Sequence, residues 1–147
     1  MKPSKKTYLL TSTILILALL TSLEFTFSQK VTQPKIPAAV TTAFAKQYPG
    51  IPVKWEKEDG QFEASFTKDA TPMSITYEAN GNIFETEAEI KVAALPESIK
   101  NYVKTHYPGS SIQSAAQITK ANGSILFEAH VRGKDLFFDS NGNLIKK

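Results

Sequence analysis

The strongest constraint on the fold is an internal repeat that covers most of the chain. The stretch from Pro37 to Gly50 recurs 59 residues later as Pro96 to Gly109, with the same apolar spacing and the same ending, Tyr-Pro-Gly. Two further matches follow at offsets of 65 and 61 residues: Phe62-Glu63-Ala64 with Phe127-Glu128-Ala129, and Tyr77 to Asn82 with Phe138 to Asn143. Because the offset changes only where loops fall, the sequence predicts two copies of one structural unit.

Each copy begins with a predicted helix. Val40 and Phe44 lie four residues apart, as Ile99 and Val103 do, which gives each helix one apolar face. A proline opens each helix, where its missing N–H is not needed. Tyr-Pro-Gly then ends the helix, because the residue before a proline avoids the α conformation and glycine permits a left-handed exit.

Turn dipeptides predict four strands after each helix. The predicted cross-strand pairs are Trp55 with Ala64 across Asp59-Gly60, Tyr77 with Phe84 across Asn80-Gly81, Ile118 with Phe127 across Asn122-Gly123, Val131 with Leu136 across Gly133-Lys134, and Phe138 with Ile145 across Asn141-Gly142. Each turn places apolar residues opposite apolar residues. We therefore predict an α+β fold of two α-β(4) repeats, with an antiparallel sheet and the helices packed on one face. One sheet of up to eight strands and two sheets of four strands both fit this pattern.

The first residues have the layout of a secretory signal peptide. Lys2, Lys5 and Lys6 precede an apolar run from Tyr8 to Leu23, and Thr26-Phe27-Ser28 supplies small residues for cleavage after Ser28. An uncleaved membrane anchor is the alternative, but the run is shorter than the roughly 20 apolar residues that a spanning helix needs. The predicted organisation is a signal peptide at 1–28, a short mature segment at 29–35, a first repeat at 36–94 and a second repeat at 95–147, with both repeats in one domain.

Charge and composition exclude several classes of protein. The formal net charge is +3, but removal of residues 1–28 takes away three lysines and Glu24 and leaves +1. A nucleic-acid partner is therefore not expected, since phosphate binding needs a clustered positive surface. The chain contains no cysteine, which excludes disulfides, a cysteine nucleophile, a cysteine zinc site and a lipid anchor on cysteine.

The sequence offers no pattern typical of catalysis or of cofactor binding. The two histidines, His106 and His130, have no partner at metal-ligand spacing. No Gly-x-Ser-x-Gly turn marks an activated serine, and the glycines are isolated in turns rather than gathered in a phosphate-binding loop. We predict no catalytic residues, no metal site and no cofactor, and hence a protein that is not an enzyme.

These features together resemble a known family. An export segment, two α-β4 repeats, the helix-ending Tyr-Pro-Gly and the Asn-Gly-Asn hairpin are similar to those of the PepSY-like, beta-lactamase-inhibitor-like periplasmic proteins of bacteria. The resemblance covers Ile36 to Lys147. It implies a periplasmic or secreted protein whose sheet face binds another protein, as the namesake inhibitor does. It transfers no functional residue, because the matching positions are helix ends, turns and core.

The sheet face away from the helices is the candidate partner-binding site. Glu85, Glu87 and Glu89 alternate along one strand and predict either a solvated row or a patch for a cationic partner or calcium. The Gly133-Lys134 turn places Phe137 opposite His130 as an exposed aromatic contact, unless this face packs against the other repeat. The candidate residues are Phe137, Leu126, Leu144, His130, Ile83, Glu85, Glu87 and Glu89.

The predicted function is that of an exported, non-enzymatic protein-binding module that inhibits or modulates another envelope or secreted protein. Its partner is an unidentified envelope protein, not a nucleic acid, and no stable membrane span remains after signal removal. Two alternatives stay open from the sequence. One is a small-ligand or calcium-binding protein that uses the acidic sheet face. The other is a cystatin-like protease inhibitor, although the chain lacks the Gln-x-Val-x-Gly loop of that fold.

Overall fold

The two repeats form a single antiparallel sheet with one helix in each repeat. The computed structural model describes residues 34–145, so the predicted signal peptide at 1–28 lies outside the described residues. The elements are α1 (Ala38–Gln47), β1 (Val53–Glu58), β2 (Gln61–Lys68), β3 (Thr71–Tyr77), β4 (Ile83–Ile90), a 3-10 turn (Val92–Ala94), α2 (Glu97–His106), β5 (Ser114–Lys120), β6 (Ile125–Val131) and β7 (Lys134–Asp139). The strands follow one another in chain order from β1 to β7. The predicted fold class is confirmed, and pairing of β4 with β5 joins the repeats.

Both helices begin and end as the repeated prolines predict. Pro37 and Pro96 occupy the position before the first helical residue, and their carbonyls accept the first helical N–H groups. The N–H of Tyr48 donates to the carbonyl of Phe44 at 2.8 Å, and the following proline then prevents another turn. Among residues 34–145, no helix is long and apolar enough to cross a membrane.

Each helix packs its apolar face against its own repeat. The first core comprises Val40, Phe44, Tyr48, Phe62, Ala64, Phe66, Ile75 and Tyr77. The second core comprises Leu95, Ile99, Val103, Ala115, Ala129, Val131, Leu136 and Phe138. Full burial of a large apolar side chain contributes about 1.5–3 kcal/mol, so each core is a substantial source of stability without disulfides.

Two-residue turns join some of the strands. Asp59 and Gly60 both have positive φ, of 48° and 83°, and the predicted pair of Trp55 with Ala64 is confirmed.

The turn between β6 and β7 is Arg132-Gly133, with φ of 52° and 71°, and not Gly133-Lys134. The predicted pair of Val131 with Leu136 is therefore wrong. Val131 pairs with Lys134, and Leu136 pairs with Ala129.

The three Asn-Gly loops contain one residue more than predicted. The register is shifted by one residue after the second and third loops, whereas in the first an irregularity between Thr76 and Tyr77 restores the predicted register from the pair of Thr76 with Glu85 onward. In the first of them, Glu78 N–H donates to the Asn82 carbonyl and Gly81 N–H donates to the Glu78 carbonyl, both at 2.9 Å. This is a three-residue loop in which glycine takes the left-handed position, with φ of 88° at Gly81. The predicted pairs across these loops are wrong by one residue: Tyr77 pairs with Ile83, Ile118 pairs with Leu126, and Phe138 forms an isolated bridge with Leu144.

Two of these glycines also allow the loops to contact the helices. A Cβ atom on Gly81 would lie 2.7 Å from the carbonyl oxygen of Ala39, and one on Gly142 would collide with the Ser98 side chain. The equivalent loops of the two repeats therefore pack against the first turns of α1 and α2. Glycine is required there both by its positive φ and by the close approach.

Candidate binding surface

The register of the sheet defines one face on which neither helix packs. Directly opposed residues of neighbouring strands share a face, and both cores lie on the side of the helices. We call the opposite side the helix-free face. It carries Lys54, Glu56, Glu63, Ser74, Thr76, Glu85, Glu87, Glu89, Ser114, Ile118, Lys120, Leu126, Glu128, His130, Asp135 and Phe137.

Most of the candidate residues predicted from the sequence lie on this face, but two do not. Phe137, Leu126, His130, Glu85, Glu87 and Glu89 share it. Ile83 instead packs against the first core, and Leu144 packs against the second core. Both assignments to the partner-binding face are wrong for the same reason, which is the extra residue in the loop that precedes each of them.

Phe137 differs from its predicted setting in register and in exposure. It pairs with Glu128 on β6 rather than with His130, because the β6–β7 turn begins one residue earlier than predicted. Only 8% of Phe137 is exposed, so the prediction of an exposed aromatic side chain is wrong. Leu126, one strand away, is half-buried.

The glutamate row of β4 is not uniformly solvated. Glu85 and Glu87 are 5% and 2% exposed, whereas Glu89 is exposed. A fully solvated row is therefore excluded for Glu85 and Glu87. Burial of a charge is costly unless the charge is paired, so keeping the surface soluble does not explain glutamates at these two positions.

One cross-strand line on the helix-free face concentrates charge. Glu56, Glu63, Thr76, Glu85 and Lys120 are successive direct partners on β1 to β5. The Lys120 ammonium donates to a Glu85 carboxylate oxygen and lies 5.1 Å from the centroid of the Phe84 ring. This ion pair crosses the junction between β4 and β5 and so links the two repeats.

Glu63, in the middle of this line, sits in an unfavourable electrostatic setting. Burial raises the pKa of its carboxyl, and the nearby carboxylates of Glu56, Glu58 and Glu85 raise it further. A hydrogen bond from Ser74 offsets part of this effect. Among the described residues no ammonium, guanidinium or imidazole lies within ion-pair distance of Glu63.

A second polar group lies on the last strands of the helix-free face. His130 Nδ1 lies 2.6 Å from Asp135 Oδ1, and both side chains are about one-third exposed. Ser114 is the cross-strand partner of His130, which brings serine, histidine and aspartate side by side. No hydrogen bond joins Ser114 to His130 within residues 34–145, so the group lacks the nucleophile–base contact of a catalytic triad.

The described residues do not form a metal-ligating group. Nowhere in residues 34–145 do three or more His, Asp or Glu side chains converge in a way that could hold a metal ion. His106 lies on α2, where its Nδ1 is 2.9 Å from the Tyr102 carbonyl oxygen and its ring stacks on Tyr102.

Three residues that matter on this face were not among the candidates predicted from sequence. Asp135 was missed because the turn between β6 and β7 was misplaced by one residue. Lys120 was missed because its partner Glu85 lies across the pairing of β4 with β5, which no turn dipeptide predicts. Glu63 was missed because its neighbours come from three other strands. The correct turn at Arg132-Gly133 would have placed Asp135 opposite His130.

Comparison with known proteins identifies a family match in both repeats. The family model described as "Putative beta-lactamase-inhibitor-like, PepSY-like" matches residues 22–85 and again residues 60–146. The two matched ranges overlap, as expected for a repeated unit. No curated protein matches the chain.

Solved structures of similar fold come from Bacteroides species. A "putative periplasmic" protein from Bacteroides eggerthii matches with a TM-score of 0.67 and 14% identity, over 76% of this chain and 86% of the other. A DUF2874 family protein from Bacteroides uniformis gives 0.65 and 17%, over 75% and 86%. A BLIP-like protein from Bacteroides fragilis gives 0.58 and 24%, over 75% and 84%. At these identities the likeness shows a shared fold.

Proposed function

The chain belongs to the PepSY-like, beta-lactamase-inhibitor-like family, and we propose that it is an exported, non-enzymatic protein-binding module that inhibits or modulates another envelope or secreted protein. The helix-free face is the proposed binding surface.

The observation that carries this proposal is that β5, β6 and β7 bear apolar residues on both faces. Ala129 and Phe138 belong to the second core beneath α2, while Ile118, Leu126 and Phe137 lie on the helix-free face. A sheet with one solvated face alternates apolar and polar residues, whereas strands covered on both sides do not. This pattern supports a protein partner on the face that the helices leave uncovered.

The remaining candidate residues give such a surface its polarity. Glu85, Glu87 and Glu89 lie next to Ile118 and its neighbours, and His130 lies on the same strand as Leu126, with Glu128 between them on this face. Interfaces commonly combine a central apolar contact with a polar surround that sets orientation. We assign the half-buried Leu126 to the apolar contact, with the buried Ile118 and Phe137 next to it in the sheet, and the glutamates of β4 to the polar surround.

Two observations support action outside the cytoplasm. The predicted signal peptide at 1–28 has a basic start, an apolar run and small residues before the cleavage position. The similar structure from Bacteroides eggerthii is described as periplasmic. On these two observations we propose a periplasmic or secreted location.

The proposal of a non-enzymatic role rests on the chemistry of the described residues. His130 has an orienting carboxylate in Asp135, but no hydrogen bond between its ring and a hydroxyl is present within residues 34–145. Neither the calcium nor the cystatin-like alternative has an observation in its favour. No group of three or more His, Asp or Glu side chains that could hold a metal ion is present within residues 34–145, and the family matched in sequence is not a cystatin family.

The test is cross-linked capture from the cell envelope with two neighbouring substitutions on β6. Leu126→Asn changes the helix-free face. Ile125→Asn changes the adjacent residue, which lies on the other face, and the Ile125 side chain is 38% exposed. We expect the wild type and Ile125→Asn to capture the same protein. We expect Leu126→Asn to weaken that capture at least about fivefold, since an interface anchor contributes over 1 kcal/mol.

Circular dichroism spectra establish that both variants remain folded. If Leu126→Asn is folded and still captures the same protein as well as the wild type does, the helix-free face is not the binding surface.

A further inference from the structure

Charge on the helix-free face differs from charge on the chain as a whole. The chain carries a formal net charge of +3, yet carboxylates far outnumber lysines on this face. In the described residues its lysines are Lys54 and Lys120, and both already pair with carboxylates of the same face, Glu56 and Glu85. Beyond these two ion pairs, Glu63 and the exposed Glu89 give the face further negative charge toward an approaching partner.

Two acidic side chains flank β3 on this face. Glu63 and Glu85 lie on either side of Thr76 in one cross-strand line. The Lys120 ammonium lies within ion-pair distance of Glu85, whereas the Lys54 ammonium, which pairs with Glu56, acts on Glu63 only from beyond that distance. Thr76 and its neighbour Ser74 are short, so the space above β3 is flanked by longer acidic side chains.

The chain itself shows which chemical group this surface accepts. The Lys120 ammonium sits on the Glu85 carboxylate and over the Phe84 ring, with its side chain still 31% exposed. This arrangement combines a charge-assisted hydrogen bond with a cation–π contact. An ammonium or guanidinium on the other side of Thr76 would meet the same carboxylate chemistry at Glu63.

We propose that the helix-free face receives a basic segment of its partner protein, with a Lys or Arg side chain above Thr76 at the Glu63 carboxylate and an apolar side chain beside Leu126. This inference rests on the proposed function and specifies the chemistry of the partner. The raised pKa of Glu63 agrees with it, because a bound cation would relieve the repulsion from Glu56, Glu58 and Glu85.

The probes are two blocked synthetic peptides, Lys-Ser-Lys-Ser-Leu and Glu-Ser-Glu-Ser-Leu, in which serine at every second position leaves the charged and apolar side chains on one side of an extended chain. Each is titrated into the ¹⁵N-labelled protein, and amide shifts give both the affinity and the location of binding. We expect the lysine peptide to bind and to shift the amides of Glu63, Thr76 and Leu126, and the glutamate peptide not to bind. Because the contact is electrostatic, we expect the affinity to fall as salt is raised.

Two charge-matched variants locate the contact. Glu63→Gln removes one negative charge from the helix-free face, and Glu97→Gln removes one from the exposed first turn of α2. We expect Glu63→Gln to weaken binding of the lysine peptide about fivefold to tenfold and Glu97→Gln to change it less than twofold. Glu63→Gln is expected to remain folded, since burial disfavours the charged form of Glu63.

The outcomes separate this inference from the proposed function. If the two peptides bind equally, or if Glu63→Gln binds the lysine peptide as the wild type does, the basic-partner inference is overturned. The proposed function would still stand if capture from the envelope depended on Leu126. If capture does not depend on Leu126 while the lysine peptide binds at Glu63, the surface recognises cations but is not the partner-binding face proposed above.

Discussion

The buried hydroxyl of Tyr77 should destabilise the first core, and its removal tests this. Tyr77 is 0% exposed, and its hydroxyl has no hydrogen-bond partner among the described residues. The second repeat places Phe138 at the equivalent position, also 0% exposed and without a hydroxyl. The internal repeat thus provides its own reference for Tyr77→Phe.

The expected magnitude follows from the burial of this hydroxyl. A buried polar group without a partner costs about 1–3 kcal/mol, and removal of one oxygen leaves the ring contacts of the first core in place. We expect Tyr77→Phe to raise the free energy of unfolding by about 1 kcal/mol, which corresponds to roughly 4 °C in melting temperature for a domain of this size. The ring lies 6.3 Å from Trp55, centroid to centroid, and that contact is kept.

Urea unfolding followed by fluorescence measures the effect directly. Trp55 is the only tryptophan of the chain and packs against the first core, so its emission reports on this repeat. Burial raises the pKa of Tyr77 to about 12 from its ordinary value of 10.0. The unfolded chain therefore ionises first, and wild-type stability should fall between pH 10 and 12 by more than that of Tyr77→Phe.

The reverse substitution is the control. Phe138→Tyr inserts a hydroxyl into the fully buried equivalent site and should lower the free energy of unfolding by at least about 1 kcal/mol. A loss of stability in Tyr77→Phe would refute this reasoning, because it would mean that the hydroxyl makes a favourable contact.

Three further predictions concern the loops, the junction and the helix-free face. Gly142→Ala should destabilise the protein by about 2 kcal/mol more than Gly123→Ala in urea unfolding. Both glycines have positive φ, but only Gly142 lies against a helix. Equal losses of stability would mean that the contact of Gly142 with the helix does not require glycine. Lys120→Met should lower the free energy of unfolding by about 2 kcal/mol in the same assay, since it leaves the Glu85 carboxylate without its ammonium. An unchanged urea midpoint would mean that the ion pair between β4 and β5 does not stabilise the fold. The charged form of Glu63 destabilises the fold at neutral pH, and protonation of the carboxyl removes this cost as the pH falls through its raised pKa. The gain in free energy of unfolding from Glu63→Gln should therefore be largest at neutral pH and shrink on acidification. A gain that does not change with pH would contradict this.

The repeat made the fold predictable, because two copies of one pattern constrain each other. The proline-bounded helices, the Asp59-Gly60 turn and the alternation of β2 all follow from local chemistry that does not depend on distant residues. The same pattern could not decide between one sheet and two, because the pairing of β4 with β5 joins segments separated by a whole helix.

Loop length was the main source of error in the binding surface. An Asn-Gly dipeptide fits both a two-residue turn and the last two positions of a three-residue loop, and only the local hydrogen bonds distinguish them. Asn80 and Asn122 each accept a backbone N–H two residues ahead, at 2.8 and 3.0 Å, in loops of the three-residue type. One extra residue moved Ile83 and Leu144 to the side of the helices.

The most direct test of the central claim is site-specific photo-cross-linking in living cells. A photoreactive phenylalanine analogue is placed in turn at Leu126 and at Ile125, neighbours on opposite faces of β6. If the helix-free face binds a partner protein, position 126 should cross-link to one specific protein and position 125 should not. Cross-links of equal yield at both positions, or only at position 125, would contradict the claim that the helix-free face is the binding surface.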